Sequence, residues 1–326
     1  MSWLETRKII RVGEKSYAIT IPKKWASILG LEPGSTVDVI FDKTGIIYIK
    51  PRKLKAKAGI PSEVVLKLNE CDSIVDKCIS GCYIEGHDIV VLEVPPTMEV
   101  LDNISSKLPG VIVVEGEGDK VIVKMAISEN IVRFDEVINR MVKVLESMYD
   151  HMEEFIEEGS KEDAYKLLKS DDELDRLFFL GLRLAKRSIL SKLLEGDISY
   201  AKELLDITLL IRSIEHVGDA LDRSVRILLD IDYTPLKNNL LELFRLSRKI
   251  ILDAIFSCVR INLKMASKVL ERRREFKKKI ASLRGEVSLT IQGVLSELDL
   301  IATIAEDIID IAVSRYARFL EKKKRP

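Results

Sequence analysis

The sequence predicts a multidomain α+β protein in three parts: a β-rich N-terminal module, a small ββαββ unit and an all-α C-terminal region. Three observations predict it. Up to about residue 51 the chain is a series of short polar and apolar alternations punctuated by Gly and Pro, the pattern of strands and tight turns. Residues 78–125 interleave such runs with one helical stretch. From about residue 127 the apolar residues recur in steps of three and four, the spacing of one helix face. With 326 residues the chain can form two or three units that each bury a core.

In the N-terminal module, Arg7–Val12 and Ser16–Ile21 read as strands around the turn Gly13-Glu14-Lys15. Pro22 suits a first helical turn, Lys23–Leu29 continues the helix, and Gly30 closes it. Beyond the turn at Leu31-Glu32-Pro33-Gly34, Val37–Phe41 and Gly45–Lys50 form a hairpin around Asp42-Lys43-Thr44, and Pro51 stops it. So small a module buries little surface alone, which favours dimerisation. Charge sets this region apart. Residues 1–57 carry twelve Lys or Arg against five Asp or Glu, a net +7, leaving −7 for residues 58–326 of a chain that sums to zero. The basic end predicts a polyanionic partner, and the acidic remainder argues against nucleic acid wrapping the whole protein.

The basic link Lys53–Lys57 leads into an expected helix, Ser62–Lys77. Strands Cys78–Ile84 and Asp88–Val94 should then flank Glu85-Gly86-His87, followed by helix Met98–Lys107, the break at Pro109-Gly110, and a hairpin of Val111–Glu115 with Lys120–Met125. His87 is expected in a solvated turn without a catalytic partner, and Gly116 and Gly118 lack the spacing of a nucleotide fingerprint. Cys71, Cys78, Cys82 and Cys258 read as buried apolar residues; on a strand, Cys78 and Cys82 would lie about 13 Å apart, too far for a disulfide. No apolar run reaches the roughly 18 residues of a membrane span and no signal pattern opens the chain, so a cytoplasmic protein not integral to a membrane is expected.

The first long helix is traced by Ile127, Ile131, Phe134, Ile138, Met141, Leu145, Met148 and Met152. A second spans about 161–194, with a kink possible near Ser170-Asp171, and a third begins near Ile198 and keeps Ile214, Gly218 and Leu221 on its seam. Tyr233-Thr234-Pro235 breaks the pattern, and helices over about 236–265, 266–284 and 286–322 complete two three-helix repeats, about 127–232 and 233–322. Asp171/Asp175, Glu215/Asp219 and Glu306/Asp310 each place two acids on one helical face, an arrangement that needs compensation. Arg212 and Arg223 stand at helical spacing from Glu215 and Asp219, so salt bridging and metal ligation are both open there. The other two pairs have no Lys or Arg three or four positions away, so their counter-charge must come from another helix, solvent or a cation. All-oxygen ligands suit Mg²⁺ or Mn²⁺ and can hold iron. His216 points about 100° from Glu215 on the helical wheel and is set aside. The basic runs Glu271–Lys279 and Lys322–Arg325 should face solvent. No nucleophile, base or water-binding histidine suggests an enzyme.

Two stretches resemble known families. Arg7-Lys8-Ile9-Ile10-Arg11-Val12-Gly13, Tyr17–Lys24 and Leu29-Gly30-Leu31 with Gly34 resemble the AbrB/SpoVT swapped-hairpin DNA-binding fold. The resemblance implies a dimeric β-barrel made by two chains exchanging hairpins, with Arg7, Lys8, Arg11, Lys15, Lys23 and Lys24 contacting double-stranded DNA. Asp171-Asp172-Glu173-Leu174-Asp175 and Ser213–Ala220 resemble the acid-x-x-x-Asp motifs of PhoU, weaker at Glu306–Asp310 and degenerate at Glu271/Glu275. That resemblance covers about 128–322 and implies tandem three-helix bundles that hold metal on Asp171, Asp175, Glu215, Asp219, Glu306 and Asp310. It also implies a role in phosphate uptake through a transporter ATPase or a sensor kinase. The unit between them resembles the connector of archaeal phosphate-uptake regulators, which gives domains 1–53, 54–126 and 127–326. A DNA-binding regulator is one expectation; an adapter with the β-module as dimer clamp is the other.

Overall fold

A computed structural model describes residues 5–41, 45, 47–52, 62–67, 71, 74–93, 96–115, 120–127, 132–194, 198–285 and 287–323. The link Lys53–Lys57, the turn Asp42-Lys43-Thr44, Gly116-Glu117-Gly118, Ile131, Lys324 and Arg325 lie outside the described residues. The chain divides into two units, Met1–Ile60 and Pro61–Pro326.

In the first unit β1 (Ile10–Arg11) and β2 (Tyr17–Ala18) pair antiparallel, Ile10 opposite Ala18 and Arg11 opposite Tyr17. Gly13 turns the chain with φ +76°, a conformation that costs glycine little. Helix α1 (Lys23–Ile28) follows Pro22, and β3 (Val37–Phe41) pairs antiparallel with β4 (Ile47–Pro51). Among the described residues β1-β2 and β3-β4 are two separate two-stranded sheets. Apolar side chains are left in solvent: Ile9, Tyr17 and Phe41 are 70%, 74% and 74% exposed.

The second unit begins with β5 (Glu63–Leu66), α2 (Val75–Glu85), β6 (Ile89–Leu92), α3 (Met98–Lys107), β7 (Val111–Glu115) and β8 (Val121–Met125). The sheet order is β5-β6-β8-β7, with β5 parallel to β6 and the other pairs antiparallel. This corrects the expected ββαββ order. Cys78–Ile84 lies in a helix because Val75, Ile79 and Tyr83 repeat every four residues, and Ile79 and Tyr83 are fully buried beneath the sheet. Gly86 ends that helix at φ +91°. The expected helix over Ser62–Lys77 instead opens with strand β5, whose Val64 and Leu66 join the apolar core of this α/β block. The cysteines need correction too. Cys71 and Cys78 form a disulfide, their Cα atoms 6.3 Å apart, and Cys82 is only half-buried; Cys71 and Cys258 are buried as expected. His87 is not merely solvated, because its Nδ1 lies 2.8 Å from Ser62 Oγ.

The helices are α4 (Phe134–Glu158), α5 (Lys161–Leu194), α6 (Ile198–Leu229), α7 (Lys237–Val259), α8 (Leu263–Arg284) and α9 (Leu289–Lys323). One apolar core runs through both repeats, including Met141, Met148, Leu174, Ile214, Phe244, Phe276 and Ile308. The first helix starts at Phe134 rather than Ile127, and the break between α7 and α8 falls at 260–262 rather than after 265. There Ile261 takes φ +52° and the Asn262 side chain accepts from Met265 N–H at 3.1 Å, capping α8. Arg183 of α5 fastens the α/β block to the bundle. Fully buried, it donates to the carbonyls of Tyr83 and His87 at 2.8 Å each and to Asp88 Oδ1 at 3.2 Å. Arg187, one turn on, donates to Gly86 O at 2.9 Å and Asp88 Oδ1 at 2.5 Å. No described helix is long and apolar enough to cross a membrane.

Candidate metal centre and nucleic-acid interface

Helix α5 presents Asp171 and Asp175, and α6 presents Glu215 and Asp219, where the two helices approach closely. Gly218 permits the approach: a Cβ there would lie 2.3 Å from Leu174 Cδ2 and 3.1 Å from Asp171 Oδ1. One carboxylate oxygen each from Asp175, Glu215 and Asp219 falls within 4.8 Å of the others. Burial, then the charges of Asp175, Asp222 and Asp219, push the Asp171 carboxyl up to about 8. Burial likewise pushes Glu215 up to about 7, against the opposing pull of Arg212, and Asp175 is raised by burial and then by Asp219. Among the described residues Asp171 and Asp175 have no ion-pair partner.

The salt bridges left open at the third helix do form. Arg212 Nη1 stands 3.9 Å from Glu215 Oε2, and Arg223 donates to Asp219 at 3.1 Å while reaching Glu297 of α9 at 3.1 Å. Yet Glu215 Oε2 is buried without a hydrogen-bond partner. His216, set aside on the helical wheel, lies 3.8 Å from that same oxygen. A buried acceptor without a donor, within 4.8 Å of two further carboxylate oxygens, fits a hard divalent or ferric cation; a zinc structural site would want Cys or His. Asp175, Glu215 and Asp219 are the residues that would hold it, with Asp171 beside them.

The second repeat is built differently. Glu306 pairs with Arg273 of α8, Asp310 is exposed, and Asp253 of α7 pairs with Arg272. No second carboxylate trio gathers there among the described residues. The counter-charge for Glu306 thus comes from another helix. The run Glu271–Lys279 does not simply face solvent either, since Lys277 meets Asp299 at 3.2 Å and Lys279 meets Glu242. Two features escaped the sequence reading, as did the role of Gly218. Asp222, held by Arg226 at 2.7 Å, adds charge beside Asp171, and its signal was its place three residues after Asp219. Gly218 had the signal of a glycine inside a helix, at the price of about 1 kcal/mol of helix propensity. His151, Glu154 and Asp163 also come within 4.8 Å of one another, although Lys166 occupies Asp163 at 3.0 Å.

In the first unit Arg7, Lys8, Arg11, Lys15, Lys23 and Lys24 are all exposed. Arg11 sits on β1 and donates to Gly13 O at 3.2 Å, Lys15 lies in the turn, and Lys23 and Lys24 open α1. Arg7 pairs with Glu5.

Residues 138–227 match the PhoU domain, and residues 10–57 match the family described as antidote-toxin recognition MazE, bacterial antitoxin. The chain joins a MazE/AbrB-type domain to a PhoU domain. The PhoU match ends just before the second repeat, where the carboxylates are dispersed. Among solved structures, the phosphate transport system regulatory protein PhoU from Streptococcus pneumoniae aligns at 14% identity with a TM-score of 0.46, over 56% of this chain and 93% of that one. No curated protein matches.

Proposed function

We propose that the chain is a DNA-binding transcription regulator of phosphate uptake, assembled as a homodimer through its N-terminal module. The observation that carries this reading is the concentration of cations, a net +7 in residues 1–57, in a separate unit of an otherwise acidic protein, with Arg7, Lys8, Arg11, Lys15, Lys23 and Lys24 exposed. The exposed Ile9, Tyr17 and Phe41 support the dimer, because a second copy exchanging its hairpin would cover apolar surface that one chain leaves in water. Mg²⁺, Mn²⁺ or ferric iron on Asp175, Glu215 and Asp219 is the proposed cofactor. The PhoU domain supports the link to phosphate and also favours a second reading, an adapter that contacts a transporter ATPase or a signalling protein. No catalytic activity is proposed for either.

Neutralising Arg11, Lys23 and Lys24 together separates the two readings. The regulator loses salt-sensitive DNA binding while keeping its fold; a wild-type protein that never binds DNA, yet still captures a transporter ATPase, identifies the adapter.

A further inference from the structure

A groove of about 910 Å³ lies between α3 of the α/β block and α5 of the bundle, within the size range of small-molecule sites. Lys107, Lys169 and Arg176 line it, and none has an ion-pair partner among the described residues. Its other charges are largely committed. Lys166 is taken up by Glu162 at 3.1 Å and Asp163 at 3.0 Å, and Glu173 by Arg140. Asp172 remains, along with Asp175, which belongs to the carboxylate trio. The Lys107 charge also acts on Asp175, but no close ion pair takes up any of the three, so an anion in the concavity would meet cations that are not already bridged.

The groove also indicates which anion. One arginine fork satisfies a carboxylate, whereas three cations match a doubly charged group, and an arginine with lysines is the usual set for phosphoryl oxygens. The Asn103 amide on the same wall adds a neutral donor. Inorganic phosphate would fill only a small part of 910 Å³, and Pro109, Leu177 and Leu180 offer apolar surface for something larger. We propose that this groove binds a phosphate monoester of about nucleotide size, its phosphoryl group held by Lys107, Lys169 and Arg176 and its organic part against Leu177 and Leu180. The ligand would touch α3 and α5 at once, beside the carboxylates and on the helix that fastens the two blocks through Arg183. The binding does not rest on the regulator reading.

The test is calorimetric titration of the full chain, without DNA, using adenosine monophosphate, adenosine and inorganic phosphate as probes. Saturable binding of the monophosphate, none of adenosine and weaker binding of inorganic phosphate are expected. Lys107→Ala with Arg176→Ala should weaken the monophosphate about tenfold or more, while Lys268→Ala, on exposed α8 surface, leaves it unchanged. Unaltered helical circular dichroism shows that the double variant is folded. Absence of saturable binding at millimolar monophosphate, or binding indifferent to the double variant, would overturn the site. Inorganic phosphate binding as tightly as the monophosphate would overturn the monoester assignment.

Discussion

Asp171 and Glu215 carry protons that ordinary carboxyls have lost, up to about 8 and about 7, and burial is the main cause in each. At these two carboxyls the folded state binds more protons than the unfolded state between about pH 4 and pH 8, which outweighs the opposite, downward shift of His216, so without a cation stability should fall as pH rises through that window. Thermal melts at stepped pH should show the fall, and Asp171→Asn should flatten it; a wild-type protein whose melting temperature rises over the same window contradicts the reading. A divalent cation competes with those protons, so its stabilising effect should grow toward pH 8. Gly218→Ala makes a second test. The gain in helix propensity is about 1 kcal/mol, but a methyl group 2.3 Å from the fully buried Leu174 costs about 1–3 kcal/mol as overpacking, and it moves α6 away from Asp171. A net loss of stability together with weaker cation binding is expected in a melt with and without metal. The acid spacing was legible in the sequence; that one glycine lets the acids meet was not, because the contact joins residues far apart in the chain.

At the level of elements, the second long helix was legible to the residue, as α5 shows, whereas the first starts at Phe134 rather than at Ile127 and α7 ends at Val259 rather than 265, because apolar spacing marks a helix face better than it marks where the helix stops. Residues 62–85 were not legible. Short apolar runs such as Cys78–Ile84 suit strand or helix equally, and the choice was made by packing of Ile79 and Tyr83 beneath the sheet. Arg183 is the element-scale counterpart of Gly218. Its guanidinium is buried against the C-terminal carbonyls of α2, where a cation also meets the negative end of the helix dipole. Arg183→Met should cost about 3–5 kcal/mol, since it leaves the carbonyls of Tyr83 and His87 and the carboxylate of Asp88 without this donor. Denaturant unfolding would show it as a lower midpoint, and hydrogen exchange should rise in α2 and β6 before the bundle; protection unchanged in α2 would contradict the clamp.

Across the whole molecule, the division of charge was legible from composition alone, whereas the exposed apolar surface of the N-terminal unit became visible only once its strands were placed. Both support the proposed basic dimer that presents cations to a polyanion. Each phosphate contact removed should lower the slope of log affinity against log salt by about 0.9, so neutralising Arg11, Lys23 and Lys24 should lower it by about 2.7 per chain if all three meet phosphates. The most direct test of the central claim is binding of the purified full chain to the DNA upstream of its own gene at several salt concentrations. Specific binding that weakens steeply with salt is expected, with a slope shallower by about 2.7 per chain in the triple variant. No binding at low salt, or binding indifferent to salt and to the three cations, would contradict it.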